Sequence, residues 1–219
     1  MKLLLTSGGI SNGSIHTALV EMLDKPISQC NALCIPTASY ALQNGVKNAW
    51  TFLRGYDDAP MCDLGWKSMG VLELTALPSL DRSRWLPSLE QADVILVNGG
   101  DPLYLSYWMK QSGVAELLPD LDLVYVGMSA GSMIMAPKIG YSFVGWTQEG
   151  LTDETLGYVN FSMFPHLNHI MLPQNTLNHA VEWSHLIQIP GYAIDDNTAI
   201  QVINGKVTVI SEGEWQYFE

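Results

Sequence analysis

Four short, unbroken apolar runs set the strongest constraint on how this chain folds. They occupy residues 3–6, 31–35, 94–97 and 123–126, and each stops at glycine, proline or other small residues. A strand that is apolar at consecutive positions buries both of its faces, as inner strands do in a parallel sheet covered by helices. Helical stretches lie between them, over 15–23, over 42–53, and from Asp101-Pro102 to about Gln111. Asp101 can cap the third of these, and Pro102 suits its first position. The alternation predicts a wound, mostly parallel α/β sheet flanked by helices. Further on, residues 192–194, 198–203 and 206–210 read as strands. Asn204-Gly205 between the last two is a two-residue hairpin signal, so the sheet is expected to end in an antiparallel hairpin. No repeat, low-complexity segment or Pro/Ser-rich linker interrupts the chain. Residues 1–219 therefore read as a single α/β domain.

Hydrophobic residues make up 47% of the chain and charged residues 15%, enough apolar material for a large core. Acidic residues outnumber basic ones 22 to 10, giving a net charge of -12. That balance argues against nucleic acid and anionic membrane as partners and favours plain solubility. The cysteines are Cys30, Cys34 and Cys62. An odd count without a dense framework points to reduced thiols and a cytoplasmic location. Cys30 and Cys34 have a metal or redox reading, but Cys34 lies in an apolar run, and the buried-strand reading outweighs it. The first apolar run is too short for a signal peptide, and no run approaches the roughly 18 residues that span a membrane. A homodimer stays open as an assembly.

Chemistry concentrates at Gly127-Met128-Ser129-Ala130-Gly131, after a strand and before a helix expected over 130–136. Gly-x-Ser-x-Gly in that setting makes a nucleophile elbow, with the hydroxyl lifted above the sheet edge. A tight packing turn or a phosphate-binding turn is the blander alternative. Asn98-Gly99-Gly100-Asp101 closes the neighbouring strand. Gly99 and Gly100, with the N–H of Ala130, are candidate oxyanion donors, against the reading of a simple loop cap. Gly99-Gly100 is not a pyrophosphate fingerprint. A serine nucleophile needs a base. Of five histidines, His166 stands out in Phe164-Pro165-His166 at a strand end, with His169 close behind. No His-Glu-x-x-His spacing accompanies them, so no metal is expected, and no cofactor either. Trp146 and Trp183 are core residues or, less simply, walls of an apolar pocket.

Taken in order, Gly99-Gly100-Asp101, Gly127-Met128-Ser129-Ala130-Gly131-Ser132, Pro165-His166 and Ile194-Asp195-Asp196-Asn197-Thr198-Ala199-Ile200 resemble peptidase family S51, which includes peptidase E and cyanophycinase. The resemblance implies a sheet like that of class I glutamine amidotransferases, with serine in the elbow. It implies Ser129 as nucleophile, His166 as base, and Gly99, Gly100, Asp101 and Ala130 around the oxyanion and substrate. It also implies a triad acid between the serine and the histidine. Glu149, on a glycine-flanked loop, is the expected acid, with Asp153 and Glu154 as alternatives. Asp195 and Asp196 read as a turn before a strand and stay a minor alternative. Aspartyl dipeptidases of the family hold an acidic side chain with an arginine after Pro-His. Residues 173–180 contain no arginine or lysine, and His179 could substitute only when protonated, which argues against strict aspartyl specificity. The expected activity is hydrolysis of a small peptide or related amide through an acyl-enzyme. The alternative is a degraded relative that binds a small ligand without turnover. An α/β-hydrolase esterase is disfavoured by the short spacing from Ser129 to His166.

Overall fold

The four apolar runs form the centre of a seven-stranded sheet. The computed structural model describes residues 1–55, 61–150 and 152–219. In chain order the elements are β1 (Lys2–Thr6), α1 (Gly13–Leu23), β2 (Asn31–Ile35), α2 (Gly45–Arg54), β3 (Ser68–Val71), α3 (Leu86–Glu90), β4 (Val94–Val97) and α4 (Pro102–Gln111). They continue with α5 (Val114–Leu117), β5 (Val124–Met128), α6 (Ala130–Met133), β6 (Ser162–Phe164), α7 (Leu177–Ile187), β7 (Gly191–Ile194), β8 (Thr198–Ile203), β9 (Lys206–Ser211) and β10 (Trp215–Phe218). The large sheet runs β3-β2-β4-β5-β1-β8-β9. Its first five strands are parallel, and β8 and β9 are antiparallel additions.

Burial explains the unbroken apolar runs. Leu3, Leu5, Ile95 and Val97 feed one core layer, while Leu4, Val94, Leu96 and Val126 feed the layer on the opposite face. Each such side chain, removed from water, stabilises the fold by roughly 1.5–3 kcal/mol. Cys34 is fully buried in β2 with its Sγ 3.2 Å from that of Cys62, and both are free thiols.

Local signals hold at several positions. Asp101 caps α4 by accepting the Tyr104 N–H at 2.9 Å. Asn204 and Gly205 both take positive φ, 51° and 81°, as a type I′ hairpin turn requires. Two helices depart from expectation. Residues 37–41 form a 3-10 turn and Leu42 is extended, so α2 begins at Gly45. A side chain at Gly45 would lie 2.2 Å from the Ser39 carbonyl oxygen, so glycine lets this helix start against the preceding turn. The helix expected over 130–136 shrinks to α6, four residues long.

A second, three-stranded sheet, β10-β7-β6, was not foreseen. β10 runs antiparallel to β7, and β6 runs parallel to it. It packs on α7 through Phe164, Ala180, Trp183, Ile187 and Ala193. Trp183 is buried there, with its indole N–H on the Ile139 carbonyl, so it is a core residue. Trp146 packs edge-on against Tyr104. No helix among the described residues is long and apolar enough to cross a membrane.

Candidate active site

The ends of β4, β5 and β1 lie side by side at one sheet edge, and their turns build the site from three directions. Ser129, after β5, has φ 50° and ψ -112°, a strained conformation for a residue with a side chain. Four hydrogen bonds hold the elbow. The Ser129 N–H donates to the Thr6 carbonyl at 3.0 Å, and Thr6 Oγ1 donates to the Gly127 carbonyl at 2.7 Å. Ser132 Oγ reaches the Thr6 carbonyl at 2.7 Å, and the buried Tyr125 hydroxyl reaches the Gly131 carbonyl at 2.6 Å. The motif glycines are required by contact. A Cβ at Gly127 would lie 2.6 Å from the backbone of Gly131, and one at Gly131 would lie 2.5 Å from the Val97 carbonyl oxygen.

The turn after β4 brings Gly99 and Gly100 against the elbow. Gly99 leaves only 3.3 Å between an added Cβ and Ser129 Cβ. Its N–H is already donated to Asn98 Oδ1 at 2.8 Å. The N–H groups of Gly100 and Ala130 have no acceptor among the described residues, and these two remain able to hold an oxyanion. Asp101 has a different task from the substrate-binding one expected of it. Its carboxylate is buried, with Oδ1 on the α4 cap and Oδ2 accepting the N–H groups of Gly145 and Trp146 at 3.0 and 2.6 Å. Both oxygens are committed to holding α4 and the 145–146 loop together.

His166 follows β6 with φ 58°, and its backbone N–H donates to Ser7 Oγ at 2.7 Å. Its Nδ1 lies 2.7 Å from Asp196 Oδ1, and Ser7 Oγ donates to the same oxygen at 2.6 Å. A carboxylate at Nδ1 holds the ring hydrogen there and leaves Nε2 to accept a proton. His169 Nε2 stands 3.6 Å from the other oxygen, Asp196 Oδ2, while its Nδ1 accepts the Met171 N–H. Burial alone would push the Asp196 carboxyl up. The hydrogen bond and charge of His166, the Ser7 hydroxyl and the charge of His169 outweigh that and hold it below the ordinary carboxylate range.

Asp196 therefore stands where Glu149 was expected. Glu149 is exposed on its loop and has no hydrogen bond or ion pair among the described residues. Asp153 accepts the Gly140 N–H. The turn reading of the adjacent aspartates holds for Asp195, which accepts from Asn197, Thr198 and Glu214. Asp196 occupies the same turn between β7 and β8, but its side chain faces His166. Ser7 was also missed. Its one sequence signal is the Ser7-Gly8-Gly9 turn after β1: an added Cβ at Gly8 would sit 2.8 Å from Asp196 Cβ, so glycine there lets the acid approach.

Ser129 and His166 line one cavity of about 580 Å³ with Gly99, Gly100, Met128 and a face of α2. Neither Trp146, Trp183 nor any of residues 173–180 lines it; Trp50 of α2 does.

Comparison with known proteins gives the family and the fold. The profile of peptidase family S51 matches residues 3–210. An uncharacterized peptidase of Listeria monocytogenes is 31% identical over 128 residues, a match spanning 55% of this chain and 61% of that relative's length. A second uncharacterized peptidase, from Listeria innocua, is 29% identical over 153 residues, 66% of this chain and 71% of the relative. The fold superposes on a Listeria monocytogenes protein provisionally named peptidase E, with TM-score 0.70, 23% identity and coverage of 97% of this chain and 98% of that one. It also superposes on a peptidase from an acI-B1 actinobacterium, with TM-score 0.61, 19% identity and coverage of 99% and 93%. The profile match spans nearly the whole sequence, and the chain belongs to peptidase family S51.

Proposed function

We propose that this chain is a serine-type peptidase that hydrolyses a short peptide or a related amide in the cytoplasm. The observation that carries the reading is one cavity holding a strained elbow serine and a histidine whose Nδ1 is bound by a carboxylate. In this reading Ser129 Oγ attacks the scissile carbonyl carbon while His166 Nε2 takes its proton. Asp196 keeps the hydrogen on Nδ1 and stabilises the imidazolium. The N–H groups of Gly100 and Ala130 donate hydrogen bonds to the carbonyl oxygen as negative charge develops on it. Loss of one such donor typically lowers the rate about 10²–10³-fold. Collapse of the tetrahedral adduct expels the amine, which takes the proton from His166. Water, deprotonated by the same imidazole, then cleaves the acyl-enzyme and regenerates Ser129. With no basic residue in 173–180, strict aspartyl specificity is not part of the assignment.

A fluorophosphonate probe tests the chemistry directly. Labelling of the parent that vanishes in Ser129→Ala and His166→Ala is expected. Asp196→Asn should lower peptide turnover by about 10²–10⁴-fold, because the wrong histidine tautomer is then favoured. Undiminished labelling of Ser129→Ala would exclude the mechanism. One observation favours the second reading, a ligand-binding site without turnover: among the described residues Ser129 and His166 share no hydrogen bond. That contact often tightens only when substrate arrives. Absence of both labelling and turnover in the parent selects the binding reading.

A further inference from the structure

The turn after β4 is fastened to the turn after β2. The Asn98 N–H donates to the Ile35 carbonyl at 3.0 Å, and the Asp101 N–H donates to the Ala38 carbonyl at 2.9 Å. These two bonds hold the ends of the turn, and side chains hold its middle. The Gly99 N–H donates to Asn98 Oδ1 at 2.8 Å, and Asn98 Nδ2 donates to Ser39 Oγ at 2.8 Å. Ser39 Oγ in turn donates to the Gly99 carbonyl at 3.1 Å, which closes the ring. Ser39 and Asn98 are 1% and 4% exposed, so water competes little for these bonds. Among the described residues, the Ser39 hydroxyl is the one hydrogen-bond partner of the peptide that joins Gly99 to Gly100.

Donor chemistry permits one assignment of this ring. A backbone N–H only donates, so the Asn98 atom facing Gly99 is the oxygen. The atom facing Ser39 is then the amide nitrogen, which also only donates. Ser39 Oγ accepts there, and its single hydrogen is left for the Gly99 carbonyl. A trans peptide points its carbonyl and its N–H in opposite directions. With the Gly99 carbonyl drawn to Ser39, the Gly100 N–H is turned away from Ser39, and it has no acceptor among the described residues. Two successive glycines make this the peptide easiest to turn over, because neither flanking residue carries a Cβ that would resist it. Gly99, Gly100 and Ser129 line the same cavity, so the orientation of this one peptide decides whether the site has its second donor.

We infer that Ser39 is a positioning residue of the oxyanion hole: its hydroxyl fixes the 99–100 peptide so that the Gly100 N–H is presented to the reacting carbonyl oxygen. The inference rests on the peptidase reading and adds a residue from the turn after β2 to a site built on β1, β4 and β5. Ser39 is itself anchored, with its N–H on the Pro36 carbonyl and its carbonyl accepting the Leu42 N–H, both at 3.0 Å. Asn98 acts one step further back, by occupying the Ser39 oxygen and leaving the hydroxyl hydrogen for Gly99. Without that hydroxyl the peptide turns between two orientations, and the Gly100 N–H serves the oxyanion only part of the time.

Amide NMR spectra of the ¹⁵N-labelled full chain test this, before and after reaction with a fluorophosphonate. The phosphonyl oxygen of the adduct stands where the oxyanion would, so the Gly100 and Ala130 amide protons of the parent should both move downfield on labelling. In Ser39→Ala the Ala130 shift should remain and the Gly100 shift should be lost, with labelling about tenfold to a hundredfold slower, less than the loss of a whole donor. Ser39→Cys keeps a side chain of similar size with only a weak donor and should fall between the two. Ala130 is the internal control, since a general disturbance of the elbow would move both amides. Before labelling, the Gly100 amide should be a single sharp peak in the parent and broadened or doubled in Ser39→Ala. A Gly100 amide that behaves in Ser39→Ala as it does in the parent overturns the inference, even where labelling slows. That result leaves the serine mechanism standing. A parent that does not react overturns the serine mechanism instead, and the spectra of the unreacted protein still decide whether Ser39 fixes the peptide.

Discussion

Ser129 sits in a backbone conformation that suits glycine better than serine, with φ 50° and ψ -112°. Strain of this kind is worth about 1–3 kcal/mol and persists only where the surroundings enforce it. Here four hydrogen bonds and two obligatory glycines do so. Ser129→Gly is therefore expected to be inactive yet more stable than Ser129→Ala, by about 1 kcal/mol, in thermal or denaturant unfolding. Equal stability of the two variants would remove strain from the account. Asp196 makes a second prediction. Its carboxyl is held below the ordinary range, so it adds stability above its unfolded value of about 3.9, and that stability is lost as pH falls through the lower folded value. The gap in melting temperature between the parent and Asp196→Asn should thus narrow steadily as the solution is acidified below about pH 4. Ser129 and His166 were legible because an elbow and a strand-end histidine leave local marks. Asp196 was not, because a turn aspartate looks the same whether its side chain faces its own backbone, as Asp195 does, or a histidine 30 positions earlier.

At the scale of elements, the turn after β4 separates two neighbouring glycines. A Cβ at Gly99 would meet Ser129 Cβ at 3.3 Å, which a small shift relieves. One at Gly100 would lie 2.2 Å from the Ala38 carbonyl oxygen, at φ 145°. Gly100→Ala should destabilise the fold by about 2–4 kcal/mol, and Gly99→Ala by about 1 or less, measured by unfolding. A change at Gly100 therefore disturbs packing as well as its N–H, and activity loss there alone does not isolate an oxyanion role. The open hairpin glycine is a control. Gly205→Ala meets no atom within 4 Å and carries only its φ of 81°, so about 1 kcal/mol is expected. These elements were readable from sequence because apolar runs, the Asp101 cap and Asn204-Gly205 act locally. The start of α2 was misplaced by three residues because the preceding 3-10 turn is fixed by contacts with Gly45 that no local pattern records.

For the molecule as a whole, the central sheet follows from which strands are apolar on both faces. The smaller sheet does not. β6 and β7 are three and four residues long and pair in parallel across the whole of α7, so their partnership leaves no trace in either segment. The site inherits this long reach. Ser7 at the end of the first strand bonds Asp196, 189 positions away, and His166 joins them from between. Contacts between such distant positions form slowly, since loop closure precedes any gain from them. During refolding from denaturant, far-UV ellipticity should recover first, and fluorophosphonate reactivity only with the last kinetic phase. The seam between the first strand and the β7–β8 turn thus acts as a proof of completion: a chain that has gained helices but not closed this seam has not yet brought Asp196 to His166, and under the proposed mechanism it has no competent centre.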